Sequence, residues 1–104
     1  MGQARPMRLR YTAPALVDLE SILDYIANHS PQGATRVHTR IEAIINLLLS
    51  YPRIGVRTDD PDILRISTSP YPYLIFYEIV GDEIIVHAVR HGAADPSGMP
   101  GSAP

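Results

Sequence analysis

The segment from Tyr71 to Gly92 constrains this chain more than any other, because it sets two apolar runs rich in β-branched and aromatic residues on either side of Gly81-Asp82. A glycine-first pair between two such runs suits a two-residue hairpin turn, whose twist matches that of the strands it joins. Counting outward from the turn with strict alternation pairs Ile79 with Ile84, Tyr77 with Val86, Ile75 with Ala88 and Tyr73 with Arg90. That register places Tyr73, Tyr77 and Arg90 on one face, with the tyrosine–arginine pair at the open mouth of the hairpin.

The rest of the chain has to supply what this hairpin packs against. With 104 residues, 45% hydrophobic and 19% charged, the composition is that of one globular domain with a single modest core, and it argues against a disordered chain. No apolar run approaches the ~20 residues of a membrane span, and Met1–Met7 lacks the apolar stretch of a secretory signal, so the reading is cytoplasmic with no membrane partner. There is no cysteine, hence no disulfide, thiol nucleophile or thiolate metal site. His87 and His91, four apart on a strand, start about 13 Å apart and cannot share an ion, and no metal or other cofactor is expected. All nine basic residues are arginine. Seven of them precede residue 58 against four acids, and two follow against seven, which gives +3 and −5 and the net −2. Such a weak dipole disfavours nonspecific nucleic-acid binding by the chain as a whole, and the exclusive use of arginine favours planar, bidentate contacts to anions.

Upstream of the hairpin the local signals are clear. Arg8 to Tyr11 is a short strand candidate, followed by Thr12 as a helix cap and Pro14 in the first turn. Leu16, Leu19, Ile22, Leu23 and Ile26 then mark an amphipathic helix of about four turns ending near Asn28-His29. Ser30-Pro31 repeats the cap-and-proline signal, and Val37, Ile41, Ile44, Ile45 and Leu48 carry a second helix to Pro52 and Gly55. The short link implies an antiparallel helical hairpin. Arg57 to Asp62 reads as turn, and Ile63 to Thr68 as a strand with Leu64 and Ile66 on one face and Arg65 on the other. The expected fold is α+β, an antiparallel sheet with an N-terminal helical hairpin packed on it in the order β-α-α-β-β-β. Residues 7–91 form the domain between a flexible segment 1–6 and a flexible tail 92–104 rich in glycine and proline.

This order, together with Thr12-x-x-Ala15-x-x-Asp18-Leu19-x-x-Ile22-x-x-Tyr25-Ile26, the Pro52-x-x-Gly55 turn, Arg65, Tyr73-x-x-x-Tyr77 and the ending Val89-Arg90-His91-Gly92-Ala93-Ala94-Asp95-Pro96, resembles the RelE/ParE superfamily of toxins from type II toxin–antitoxin systems. The resemblance implies a toxin neutralised by a cognate antitoxin that carries a DNA-binding N-terminal half. Two activities occur in the superfamily: ribosome-dependent mRNA cleavage of the RelE type, and poisoning of DNA gyrase by studied ParE members. Here Leu74 stands where the ribonucleases usually have an arginine, Ala93 and Ala94 replace basic residues, and no tyrosine follows Tyr77. The chain looks more like the ParE branch, with gyrase as the expected target and nucleic acid met only through antitoxin or target. The alternatives are an mRNA endoribonuclease and a degenerate toxin that binds only its antitoxin.

On that resemblance Arg65, Tyr73, Tyr77 and Arg90 are candidates for target binding. Arg65, Arg90 and His91 would serve phosphodiester cleavage if the ribonuclease reading holds, with positive charge at the phosphate and a histidine that titrates near neutrality. Arg36 and Arg40, one helical turn apart, are candidates for gripping an acidic partner. Each has a plainer alternative: an ion pair for Arg65, cross-strand packing for the tyrosines, solvation for His91 and for the helical arginines.

Overall fold

The structure, a computed structural model, describes residues 7–92. The segments 1–6 and 93–104, with the flexible ends expected there, lie outside the described residues. Within it, β1 (Arg8–Tyr11) leads into α1 (Ala13–Ala27), where the Thr12 hydroxyl accepts the Ala15 N–H at 3.2 Å and Pro14 sits in the first turn. Three residues later α2 (Pro31–Ser50) starts in the same way, with the Ser30 hydroxyl accepting the Gly33 N–H at 2.9 Å. β2 (Val56–Arg57), β3 (Leu64–Ser67), β4 (Tyr73–Val80) and β5 (Glu83–His91) follow.

The expected α+β fold with a helical hairpin on a sheet is the observed one, and tertiary pairing adds two features. The sheet runs β1-β5-β4-β3-β2, antiparallel throughout except that β1 joins β5 in parallel, so the sheet is mixed. The short β2, read from sequence as the start of a turn, pairs Val56 with Arg65 and Arg57 with Leu64. Its loop back to β3 is closed by polar side chains: Thr58 Oγ1 donates to the Ile63 carbonyl at 2.8 Å, and Asp60 Oδ1 accepts the Asp62 N–H at 2.9 Å.

The β4–β5 hairpin turns at Gly81, whose φ of +59° is the only left-handed one among the described residues; a positive φ confined to the first turn position suits a Gly-first turn. Ile79 faces Ile84 and Tyr77 faces Val86, as strict alternation requires. Beyond that point the expected register fails. A bulge leaves His87 unopposed, so Phe76 faces Ala88, Ile75 faces Val89, Leu74 faces Arg90, and Tyr73 faces His91 instead of Arg90. The physical reason is burial. Strict alternation from Ile84 and Val86 would turn Ala88 and Arg90 toward the helices; the extra residue turns Val89 inward, where it is 2% exposed.

The main core lies between the helices and one sheet face, where Ala15, Val37, Ile41 and Ile45 meet Ile75, Val86 and Val89. A second cluster on the opposite face joins Ile63, Phe76 and Ala88. Tyr77, fully buried beside Leu48 and Ile84, extends the helix-side core toward the Pro52-x-x-Gly55 turn. Its hydroxyl donates to the Pro52 carbonyl at 2.7 Å and accepts the Gly55 N–H at 3.0 Å. A Cβ at Gly55 would lie 2.5 Å from that hydroxyl and 2.8 Å from the Arg65 carbonyl. The turn and the tyrosine are therefore two halves of one structural clasp.

Two stability outcomes follow from this clasp. Gly55→Ala should destabilise by about 1–3 kcal/mol, because the turn cannot close without moving backbone. Tyr77→Phe should cost about 1–3 kcal/mol by leaving the Pro52 carbonyl without its donor. Burial pushes the Tyr77 hydroxyl above its ordinary value, with the Gly55 N–H and Arg53 pulling partly back. A raised folded-state value means that its contribution is intact below about pH 10 and is lost as pH climbs through the folded-state value. Denaturant melts at pH 8 to 11 should show a smaller alkaline loss in Tyr77→Phe than in wild type, the remainder coming from Tyr11 and Tyr73, which burial also pushes upward.

Candidate functional site

The bulge decides which polar residues meet. Arg65 opposes Phe76, and Phe76 opposes Ala88, so Arg65 lies on the sheet face turned away from the helices. After the bulge Arg90 falls on that same face, opposite Leu74. Glu78 and His87 join them there: His87 Nε2 is 2.8 Å from Glu78 Oε1, both side chains about one-third exposed beside an apolar floor of Phe76, Ile85 and Ala88. This open face thus carries two cations and a hydrogen-bonded histidine–carboxylate pair over a packed apolar layer.

Each arginine is held differently. β1 stops pairing with β5 at Val86, and the Thr12 N–H makes the last backbone bond to the Val86 carbonyl at 3.0 Å. Beyond it the β5 edge would be bare. Asp18, from the second turn of α1, covers it: Oδ2 accepts the Val89 N–H at 3.1 Å and lies 3.3 Å from Arg90 Nε. One carboxylate so satisfies a strand-edge amide and forms an ion pair with the guanidinium beside it, whose buried Nε makes no hydrogen bond. Arg90 is thereby both ion-paired and on the open face. Arg65 has no ion-pair partner among the described residues, so the structural pairing weighed for it from sequence is absent there.

Two sequence candidates leave this face. Tyr77 is a target-binding candidate by sequence, but it is fully buried on the helix side with its hydroxyl engaged by Pro52 and Gly55, and it offers no surface to a target. Tyr73 also lies on the helix side, half-buried, with the His91 ring edge-on at 5.5 Å. His91 is exposed at the strand end, on Tyr73's side of the sheet. Arg36 and Arg40 lie on the outer flank of α2 and line a groove of about 430 Å³ with Pro70 and Tyr71, where Arg40 Nε donates to the Ser69 carbonyl at 2.8 Å. Sequence reasoning missed Asp18 and the His87–Glu78 pair as parts of the site. The spacing of three from Val86 to Val89, with Arg90 next, is the signal that would have revealed the bulge.

Among the described residues no group of three metal-capable side chains converges, and no helix is long and apolar enough to cross a membrane.

Comparison with known proteins agrees with this architecture. A computed match to the chromosomal ParDE toxin–antitoxin system of P. aeruginosa has a TM-score of 0.69 at 21% identity, covering 85% of this chain and 98% of the other, and it establishes likeness of fold. The chain is 32% identical over 83 residues to Toxin RelE2 of Caulobacter vibrioides, covering 80% of this chain and 92% of that protein. It is 33% identical over 75 residues to the putative toxin Y4kP of Sinorhizobium fredii, covering 72% and 78%. The family model described as ParE toxin of type II toxin-antitoxin system, parDE, matches residues 9–96. The chain therefore belongs to the ParE toxin family and is the toxin component of a type II toxin–antitoxin system.

Proposed function

We propose that this toxin acts in the cytoplasm by binding and poisoning DNA gyrase through the open sheet face, with Arg65 and Arg90 as its principal contacts. The observation that carries the reading is the convergence of those two arginines on one face, Arg90 fixed by Asp18 and Arg65 without an ion-pair partner among the described residues. Family membership supports it. Planar, permanently charged groups over an apolar floor suit an anionic protein surface. The antitoxin is the second partner. A disordered acidic and apolar segment, continuing from a DNA-binding N-terminal half, would wrap α2 and fill the groove of Arg36, Arg40 and Tyr71, folding as it binds.

One observation favours the ribonuclease reading. The His87–Glu78 pair provides a histidine oriented by a carboxylate on the face that carries Arg65, which is the pairing a general base needs. Among the described residues it stands without a second group placed as the acid for a leaving oxygen, and His91, the candidate from sequence, is on Tyr73's side of the sheet. Gyrase binding is therefore the reading we favour.

Purified toxin should inhibit supercoiling by gyrase and leave ribosome-bound message intact when the two assays are run side by side. Specific cleavage of ribosome-bound mRNA that vanishes in His87→Ala would promote the ribonuclease reading in its place. Arg65→Ala and Arg90→Ala should each relieve growth inhibition by tenfold or more in the dose of inducer tolerated; thermal melts of Arg65→Ala should stay within about 1 kcal/mol of wild type, whereas Arg90→Ala, which leaves Asp18 without its cation, should cost about 1–3 kcal/mol. A charge-reversed Arg36→Glu, Arg40→Glu variant should lose affinity for the antitoxin by at least tenfold in calorimetric titration yet keep its activity on gyrase.

A further inference from the structure

At the end of the molecule away from the Gly81 turn, aromatic rings gather from three elements and a loop. Tyr25, in the last turn of α1, is 69% exposed, and its ring lies 5.1 Å from that of His29 at a 50° tilt. His29 is fixed there by Nδ1, 3.1 Å from the Tyr25 carbonyl oxygen. Tyr73 and His91, at the open mouth of β4 and β5, form the edge-to-face pair described above. Ile26, next to Tyr25 on α1, packs against the same core cluster as Tyr71 and Tyr73, which brings the two pairs to one end of the molecule. Two residues before Tyr73, Tyr71 and Pro70 face Arg36 and Arg40 across the 430 Å³ groove, so the rings run on into a pair of cations.

Neither the core nor the gyrase-binding face accounts for an exposed tyrosine stacked on a histidine at this corner. Asp18 is engaged by Arg90, while the exposed Asp24 precedes Tyr25 on α1. The corner offers flat π-surfaces on one side and the cations of α2, with Arg40 held by the Ser69 carbonyl, on the other. A single strand of nucleic acid matches both features, since its unpaired bases expose faces that stack and its phosphates recur beside them, whereas a duplex hides those faces. We propose that this corner binds single-stranded nucleic acid, stacking bases on the Tyr25 and Tyr73 rings and seating two phosphates on Arg36 and Arg40. The inference does not depend on the gyrase reading. It does share Arg36 and Arg40 with the groove assigned above to the antitoxin, so the neutralising segment and the strand exclude one another.

The test is fluorescence anisotropy of a dye-labelled thymidine hexanucleotide titrated with the purified full-length toxin. With two phosphates neutralised, affinity should fall about sevenfold between about 50 and 200 mM salt, from a slope of roughly −0.7 per phosphate on a single strand. Tyr25→Ala should weaken binding at least fivefold and keep that slope, because stacking is insensitive to salt. The paired variant Arg36→Gln, Arg40→Gln should bind more weakly and flatten the slope. All three side chains are exposed on helices, and unchanged melting curves would show that the variants fold. Absence of saturable binding at low salt would overturn the proposal. So would equal binding by wild type and Tyr25→Ala, or equal competition by a duplex of the same length.

Discussion

Val86 and Val89 both have to face the helices, and they are three residues apart on a strand whose side chains alternate every two. One unopposed residue, His87, reconciles these demands, and the make-up of the open sheet face depends on it. Because of it Ala88 packs on Phe76 across the open face, and Arg90 comes out on the face that carries Arg65 instead of being driven into the helix-side core. The bulge sits where β1 stops, and the Thr12 hydroxyl, which caps α1 on one side, points at the His87 carbonyl at 3.4 Å on the other. Start of helix, end of parallel pairing and change of register coincide at one place.

Asp18 ties that place to the open face. A strand edge with unpaired amides is a liability, and a carboxylate from the adjoining helix covers it at the cost of holding a charge near the core. The cost is offset because the same oxygen meets Arg90 Nε, so neither charge is left alone. The pose of a surface arginine is thus set by a residue seventy-two positions earlier in the chain, through helix packing. The other ion pairs of the sheet edge, Arg8 with Asp82 and Arg10 with Glu83, are exposed at 3.4 and 3.6 Å and contribute little to folding.

The two sheet faces divide the work. Tyr77, with its clasp on Pro52 and Gly55, closes the helix-side core, and that is why two motifs far apart in sequence belong to one packing unit. Residues that look alike in sequence, Tyr77 and Arg90 among them, have opposite fates, since an amphipathic ring finds hydrogen-bond partners in a core and a guanidinium is better served near water. Membership of the family says what kind of protein this is; the target proposed for the open face rests on the chemistry of Arg65, Arg90 and their neighbours.

The helices were legible in the sequence because their signals are local. Thr12 and Ser30 as caps, Pro14 and Pro31 in first turns and apolar residues at three- and four-residue spacing are satisfied within a few turns of chain. The same is true of the Gly81 turn, where a single positive φ closes the hairpin. Pairing is different. The two-residue β2, the parallel seat of β1 on β5 and the bulge at His87 each satisfy partners tens of residues away, and a local reading of alternation cannot rank one register above another. Sequence alone therefore determined the two helices, the four longer strands and their order, and some of the residues with chemistry to offer. The tertiary structure decided which of those residues share a face, because only packing against the helices weighs a buried Val89 against a buried Arg90.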